Sequence, residues 1–350
     1  MSREQDDISR GVAAGRVSGR ELPGRATPLG VSANPLLARA AQAPRPSSKT
    51  LIPERRMSVG GIGSTFYETG AGRPIVLLHG AAPGEISDAR LSWIWQLHGL
   101  SDRFRVIALD QLQFGGTDDP TPGKYINRLG RVDHVIGFIE AMGLKQITLV
   151  GHSEGSFVAA RVAIVRPDLV LKVVLLTASS VSPPIGPEPF GDERDDAWLR
   201  AATTSYDYTG PMPSKDEYMR SHAIAYGQDP YEAELEEYGR IAYRRPGKGV
   251  KWEVRKHLPI EETDMSQYIL LQQKYIFPYI DRLQGKTMLI WSADDASVAP
   301  ERGWKLSKMI NNSEFHLLKA AHMIQRDQSE AVNWLIGHYS LTEGASPPCL

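Results

Sequence analysis

The residues that could do chemistry most directly form the pentapeptide Gly151-His152-Ser153-Glu154-Gly155. It follows an apolar run that ends at Val150 and precedes a predicted helix that starts near Ser156. The two glycines permit a sharp turn that would lift Ser153 above the carboxyl edge of a sheet as an exposed nucleophile. A plain structural turn is the alternative, and the strand–turn–helix context favours the nucleophile.

A serine hydroxyl is a weak nucleophile, so it needs a base that a third group orients. In this arrangement the acid and the histidine follow the serine in the chain. Asp295 comes just after a predicted strand over 286–291, and His322 follows another over 314–318. Both should lie at the sheet edge that carries Ser153. Of the nine histidines, only His322 combines a loop position, a preceding pair of small residues and a following helix.

Two adjacent carboxylates, Asp294 and Asp295, compete for the role of the acid. The spacing to Val298 and Pro300 favours Asp295, with Asp294 as its exposed neighbour. Asp110, at the end of an earlier predicted strand, is interpreted as a carboxylate that fixes a loop.

Stabilising an oxyanion requires preorganised donors, and two backbone N–H groups are predicted to supply them. One belongs to Glu154, directly after the nucleophile, and the other to Ala81, in the loop 79–84 after an apolar strand. The small residues of that loop, Ala82 among them, would let a substrate approach the backbone. The Glu154 side chain could repel an anionic substrate, or it could simply point away.

Apolar runs of strand length alternate with amphipathic stretches along most of the chain. This alternation predicts an α/β fold with a mainly parallel, twisted sheet and helices on both faces. We assign residues 51–180 and 285–342 to this core, and residues 181–284, with mostly helical patterning, to an inserted lid. Ten of the thirteen tyrosines lie between Tyr206 and Tyr279, which suits a pocket for an aromatic, oxygenated ligand. Helix–helix packing is the simpler explanation.

The two ends of the chain differ from this core. Residues 1–50 contain no aromatic residue and no sustained periodicity, which predicts a disordered or loosely packed extension. A short helix that docks on a partner is the alternative. Residues 343–350 are predicted to form a flexible tail.

Composition argues against several classes of protein. With 40 Lys and Arg against 41 Asp and Glu, the chain lacks the positive field that nucleic-acid binding needs. Its single cysteine, Cys349, gives neither a disulfide framework nor a Cys-rich metal site, and no apolar run approaches the roughly 18 residues of a membrane span. We expect a cytoplasmic protein with a small-molecule substrate, no cofactor and no metal, and without nucleic-acid or membrane partners. Whether it forms a homo-oligomer stays open.

Beside the pentapeptide, three segments are similar to those of a known family: His79-Gly-Ala-Ala-Pro-Gly84, Leu109-Asp-Gln-Leu-Gln-Phe-Gly-Gly116 and Lys286-Thr-Met-Leu-Ile-Trp-Ser-Ala-Asp-Asp295. On these segments, the sequence over residues 57–342 resembles the α/β-hydrolase superfamily, and within it the meta-cleavage product hydrolases, which hydrolyse a C–C bond in ring-fission dienoates. The resemblance implies that Arg240, on a predicted lid helix, binds a substrate carboxylate.

The chain departs from the family pattern around the substrate. His152 stands where the family usually has Asn, and Met323 stands where it usually has Trp. Both are therefore candidate substrate-binding residues. The segment after Thr177, which some related enzymes use for the acid, holds no Asp before Asp192. These departures leave the serine, histidine and acid intact.

Together the residues predict a serine-dependent hydrolase with a Ser-His-Asp triad, acting on a small to medium, aromatic carbonyl substrate. C–C bond hydrolysis of a ring-fission dienoate or diketone is the specific hypothesis, with carboxylesterase, lactonase or thioesterase activity as the alternative. A ligand-binding or interaction protein and a cofactor-independent oxygenase are the alternatives of another class. Dehalogenases and epoxide hydrolases are disfavoured because they need a carboxylate in place of Ser153.

Overall fold

The computed structural model describes residues 51–80, 88–112, 114–118, 128–186, 271–295 and 298–342. They build a sheet of eight strands, which are β1 Glu54–Val59, β2 Ile62–Thr69, β3 Arg73–Leu78, β4 Phe104–Leu109, β5 Ile147–His152, β6 Val170–Leu176, β7 Thr287–Ser292 and β8 Glu314–Leu318. Their order in the sheet is β1-β2-β4-β3-β5-β6-β7-β8. The strands from β4 to β8 in this order run parallel, whereas β1 and β2 are antiparallel to their neighbours.

Helices cover both faces of this sheet. The α-helices are α1 Ala89–Gly99, α2 Arg128–Ala141, α3 Gly155–Val165, α4 Pro300–Met309, α5 Ile324–Asp327 and α6 Ser329–Leu341. On one face α2, α3 and α4 contribute apolar side chains to a shared core, and on the other face α1, α5 and α6 do so. A π-helical turn at Gln272–Ile276 and a 3₁₀ helix at Phe277–Leu283 precede β7.

The apolar runs of the sequence are central strands buried on both sides. Successive side chains of a strand point to opposite faces, so Val76 packs into the core on one face and Leu77 into the core on the other. Leu149 and Val150 divide in the same way. A strand covered on both faces needs apolar residues at every position. The predicted α/β-hydrolase fold, with its mainly parallel sheet, is confirmed.

The parallel strands end at one common edge, and the loops that leave it carry the candidate residues. Ser153 follows β5, Asp295 follows β7 and His322 follows β8. The exit from β6 begins at Thr177 and lies between the loops of β5 and β7, because β6 pairs with both strands. The carboxyl edge of a parallel sheet is where such folds place their ligand sites.

Most of the predicted lid lies outside the described residues, as do both predicted terminal segments. Because residues 187–270 are not described, the tyrosine-rich pocket and the role of Arg240 stay predictions. The described end of the insertion rests on α3, where Arg161 donates a hydrogen bond to the carbonyl of Tyr275 over 2.9 Å. In the part of the chain that the structure describes, no helix is long and apolar enough to cross a membrane.

Candidate active site

Ser153 occupies a tight turn between β5 and α3. Its φ is +49°, in the left-handed region that side-chain-bearing residues rarely enter without a functional reason. The flanking glycines are required by space. A Cβ at Gly151 would lie 2.6 Å from the Gly155 carbonyl oxygen, and one at Gly155 would lie 2.4 Å from the carbonyl oxygen of His79. The pentapeptide thus has the backbone geometry of a nucleophile elbow.

Three side chains far apart in the sequence form one hydrogen-bonded relay. The Oγ atom of Ser153 lies 3.0 Å from Nε2 of His322. The Nδ1 atom of the same imidazole lies 2.7 Å from Oδ2 of Asp295. The other carboxylate oxygen, Oδ1, accepts a hydrogen bond from the backbone N–H of Val298 over 2.9 Å. This contact orients the carboxylate toward the imidazole.

Burial decreases along the relay from the acid to the imidazole. The Asp295 side chain is fully buried, whereas 19% of the His322 side chain stays exposed toward the loop edge. The competing Asp294 is exposed, as the spacing argument expects. An ionised carboxylate at Nδ1 keeps a proton on that nitrogen, so Nε2 accepts the hydrogen bond that the Ser153 hydroxyl donates.

His152 holds the loop that carries the imidazole. Its Nε2 atom donates to the backbone carbonyl of His322 over 3.0 Å, and the Thr177 hydroxyl donates to the same oxygen over 3.4 Å. Burial and then the neighbouring His322 lower the pKa of His152 to about 3, so this imidazole is neutral. His152 is only 2% exposed. Its predicted contact with a substrate therefore stays a prediction.

The predicted oxyanion donors are described in part. Glu154 begins the turn into α3, with its backbone next to the nucleophile. Ala81 and Ala82 lie outside the described residues, but Gly80 before them is described. A Cβ at Gly80 would meet the Ser153 Cβ at 3.0 Å, so the loop after β3 passes close to the nucleophile. Ala81 follows directly, which keeps it a candidate donor.

Met323 and His322 are neighbours at the start of α5. Met323 is half-buried, and its sulfur accepts from the Gln325 side-chain amide over 3.7 Å. The structure thus places Met323 beside the imidazole without showing a substrate contact, and its predicted role stays a prediction.

The Glu154 side chain is not a free charge beside the nucleophile. Its Oε1 atom lies 2.6 Å from Nε of Arg128 and 2.8 Å from Nη2 of Arg131, and Oε2 accepts from Nη2 of Arg128 over 2.9 Å. The Arg128, Arg131 and Glu154 side chains are at most 2% exposed. The two arginines stand in no recognisable sequence motif, although their spacing of three residues places them on one face of α2.

Two serines in the loop after β6, which no sequence motif indicated, also contact the nucleophile. Ser179 Oγ lies 3.2 Å from Ser153 Oγ, and the Ser180 hydroxyl donates to the Ser153 carbonyl over 3.0 Å. The signal available was the polar run Thr177-Ala-Ser-Ser180 directly after an apolar strand.

Asp110 fixes loops beside the site, as predicted. Its Oδ1 accepts from the backbone N–H of Ala89 over 2.7 Å, and its Oδ2 accepts from that of Gly116 over 2.8 Å. Gly115 has a φ of +48°, and a Cβ there would lie 2.1 Å from Asp110 Oδ2. Among the described residues no cluster of three or more His, Cys, Asp or Glu side chains could hold a metal ion.

Comparison with known proteins agrees with this geometry. A family model described as the alpha/beta hydrolase fold matches residues 73–204. The 2-hydroxy-6-oxo-2,4-heptadienoate hydrolase of Pseudomonas putida (strain F1) is 27% identical over 83% of this chain and 96% of its own length. The 2-hydroxymuconate semialdehyde hydrolase of Pseudomonas sp. (strain CF600) is 27% identical over 81% of this chain and 93% of its own length.

A solved structure aligns over a similar extent. The meta-cleavage product hydrolase from Pseudomonas fluorescens IP01 matches with a TM-score of 0.63 and 22% identity, over 82% of this chain and 97% of that chain. With its sheet order, elbow and relay, the chain has the α/β-hydrolase fold and resembles the α/β-hydrolase superfamily. Within that superfamily it resembles the meta-cleavage product hydrolases, as the sequence motifs predict.

Proposed function

We propose that this protein is a serine-dependent hydrolase with Ser153 as nucleophile, His322 as general base and Asp295 as the acid that orients the imidazole. The relay itself carries the proposal, because Ser153 Oγ and Asp295 Oδ2 contact opposite nitrogens of one imidazole, over 3.0 and 2.7 Å. A nucleophile, a base in contact with it and a group that orients the base are the parts that such catalysis needs.

In the proposed mechanism the Ser153 oxygen attacks a substrate carbonyl carbon while its proton passes to Nε2 of His322. The Asp295 carboxylate stabilises the imidazolium, and the backbone N–H groups of Glu154 and Ala81 donate hydrogen bonds to the negatively charged carbonyl oxygen. The imidazolium then protonates the leaving carbon or heteroatom. A water molecule, deprotonated by the same imidazole, hydrolyses the acyl enzyme. Direct attack by water on the substrate carbonyl would use the same base.

The substrate that we propose is a ring-fission dienoate or diketone, cleaved at a C–C bond. The names of the two relatives that align over more than nine-tenths of their length support this choice. Arg240 is then the proposed partner of the substrate carboxylate. Ester, lactone or thioester hydrolysis is the second candidate. It is favoured by His152, which stands where the C–C bond hydrolases usually have Asn.

The test compares the parent protein with Ser153→Ala on two substrates, 2-hydroxy-6-oxohepta-2,4-dienoate and 4-nitrophenyl butyrate. We expect kcat to fall at least about a hundredfold in the variant, a conservative bound for losing the nucleophile of a triad. Circular dichroism of both proteins controls for folding. Turnover within a few-fold of the parent would refute the role of Ser153, and oxygen consumption insensitive to the substitution would favour an oxygenase.

Binding to Ser153→Ala separates the substrate classes. If Ser153→Ala binds the dienoate, and adding Arg240→Ala weakens the binding of the dienoate but not of the ester, Arg240 is supported as the partner of the substrate carboxylate. If only neutral esters bind, the role of Arg240 is wrong and the esterase candidate stands. Binding to the parent protein without any turnover would support a ligand-binding protein.

A further inference from the structure

We propose that Ser179 is a positioning residue that donates a hydrogen bond to the Ser153 nucleophile and holds it against the imidazole. The inference rests on the proposed function, since it assigns a task relative to the same relay. It begins with the surroundings of Ser153 Oγ, which lies between two polar atoms. His322 Nε2 is 3.0 Å away, and Ser179 Oγ is 3.2 Å away.

The direction of this second hydrogen bond follows from counting protons. The contact between Nδ1 and Asp295 leaves Nε2 of His322 without a proton, so Nε2 can only accept. The single hydroxyl proton of Ser153 is therefore committed to Nε2. The hydrogen atom between the two serines must then come from Ser179, which donates to a lone pair of Ser153 Oγ.

Ser179 is held in place by the exit loop of β6. The Ser179 side chain belongs to a residue only 5% exposed, and its backbone N–H donates to the Thr177 carbonyl over 2.8 Å. Thr177 itself has a φ of +36°, which a β-branched residue adopts only at a cost that the surrounding structure must offset. The loop thus accepts backbone strain where it reaches the nucleophile.

The neighbouring serine fastens the same loop to the elbow. Ser180 Oγ donates to the Ser153 carbonyl over 3.0 Å and accepts the backbone N–H of Phe157 over 3.0 Å. Ser180 therefore holds the backbone of the nucleophile, and Ser179 contacts its side chain. A hydroxyl on a fixed loop restricts the rotation of Ser153 Oγ, and such orientation lowers the barrier to attack.

The hydrogen bond should strengthen as the reaction begins. When the Ser153 proton moves to Nε2, negative charge grows on Oγ, and a donor facing a charged oxygen forms a shorter and stronger bond. Ser179 keeps its own proton throughout. Once Oγ has become an acyl oxygen it is a poorer acceptor. The benefit therefore falls on the two steps in which charge develops on Oγ, the attack by Ser153 and its departure when water hydrolyses the acyl enzyme.

The experiment measures these steps with two probes in Ser179→Ala. The first is the rate at which phenylmethanesulfonyl fluoride inactivates the protein, which reports Ser153 reactivity. The second is kcat and KM for 4-nitrophenyl butyrate. We expect the inactivation rate and kcat to fall about tenfold each, the scale of one hydrogen bond to a group that becomes charged, with KM within twofold of the parent.

Ser340→Ala is the matched control, because Ser340 is a buried serine, 3% exposed, whose hydroxyl donates to the Ile336 carbonyl over 2.7 Å, far from the relay. It should leave both rates unchanged. Ser179→Thr, which keeps a hydroxyl, should recover most of the inactivation rate. If Ser179→Ala fails to fold by circular dichroism, Ser179→Cys replaces it, with a weaker donor and the same expected fall.

The opposing outcomes are distinct. Less than a twofold change in inactivation by Ser179→Ala, or a change in KM alone, would overturn the positioning role. An equal loss in Ser340→Ala would reduce the effect to stability. If Ser153→Ala still turns over the ester, the proposed function fails instead, whatever Ser179 does.

Discussion

The ion pairs beneath the nucleophile give a prediction whose size follows from the structure. Replacing Glu154 by glutamine keeps the side-chain volume and one acceptor oxygen but removes the negative charge. The carboxylate contacts Arg128 and Arg131 over 2.6–2.9 Å. Its amide replacement would turn an –NH₂ group or a neutral oxygen toward two guanidinium groups.

The magnitude depends on burial. The side chains of Glu154, Arg128 and Arg131 are 2%, 1% and 0% exposed, so water cannot take over the lost partner. Removing one member of a buried ion pair costs about 3–5 kcal/mol, because an uncompensated charge stays inside the protein. An unfolding entropy of about 2.1 cal/mol/K per residue, over about 290 residues, gives about 1.6 °C of Tm for each kcal/mol. From this entropy we expect Glu154→Gln to lower Tm by roughly 5–8 °C.

Urea unfolding of the variants measures this loss. Arg131→Met and the double variant complete a double-mutant cycle, and residues in direct contact should show a coupling free energy of about 1–3 kcal/mol. The matched control is Asp168→Asn, which breaks a 2.7 Å ion pair with Arg166 whose two side chains are 59% and 29% exposed. Solvent screens that pair, and we expect no measurable change.

Two results would refute this reasoning. A loss below about 1 kcal/mol in Glu154→Gln would mean that buried charge does not control this part of the fold. A coupling free energy near zero between positions 154 and 131 would mean that the guanidinium group and the carboxylate stabilise the protein independently.

Two further predictions concern the acid and the buried histidines. Asp295→Asn should lower kcat by about 10⁴-fold, since an amide no longer fixes the imidazole tautomer, and stopped-time ester assays showing less than a tenfold loss would contradict this. Burial lowers the pKa of His79 and His134 to about 4, below the unfolded value of 6.5, so the unfolded chain binds protons first as pH falls. The free energy of unfolding should drop between pH 6.5 and 4 by up to about 1.4 kcal/mol per pH unit for each histidine. In urea titrations His134→Gln should flatten that slope, and a slope unchanged by the substitution would count against it.

The fold was predictable because strands that are buried on both faces appear in the sequence as continuous apolar runs. A central strand that packs Leu149 on one side and Val150 on the other must be apolar throughout, and such runs are visible without any structure. Chain order and strand ends then restrict the acid and the histidine to a few positions. Asp295 and His322 meet because parallel strands β7 and β8 end at the same edge.

Side-chain partners were less predictable, because they depend on how elements pack. Glu154 pairs with arginines 23 and 26 residues earlier, and only the packing of α2 beside α3 brings them together. From sequence alone its charge beside the nucleophile suggested repulsion of an anionic substrate, with a side chain that points away as the alternative. Ser179 gave only a weak signal, its place in the polar run after β6, because a serine in a loop after a strand usually marks a turn.

The loops after β6 and β7 contact opposite ends of the relay, which explains why a hydroxyl suits position 179. The acid comes from the loop after β7 and reaches Nδ1 of His322, while the exit of β6 reaches the other end of the relay at Ser153 Oγ. A carboxylate at position 179 would face the oxygen on which negative charge develops and would oppose that charge. A hydroxyl can instead donate to the same oxygen. The absence of an aspartate early in this loop is therefore consistent with the geometry, because the imidazole already has its acid and the nucleophile needs a donor.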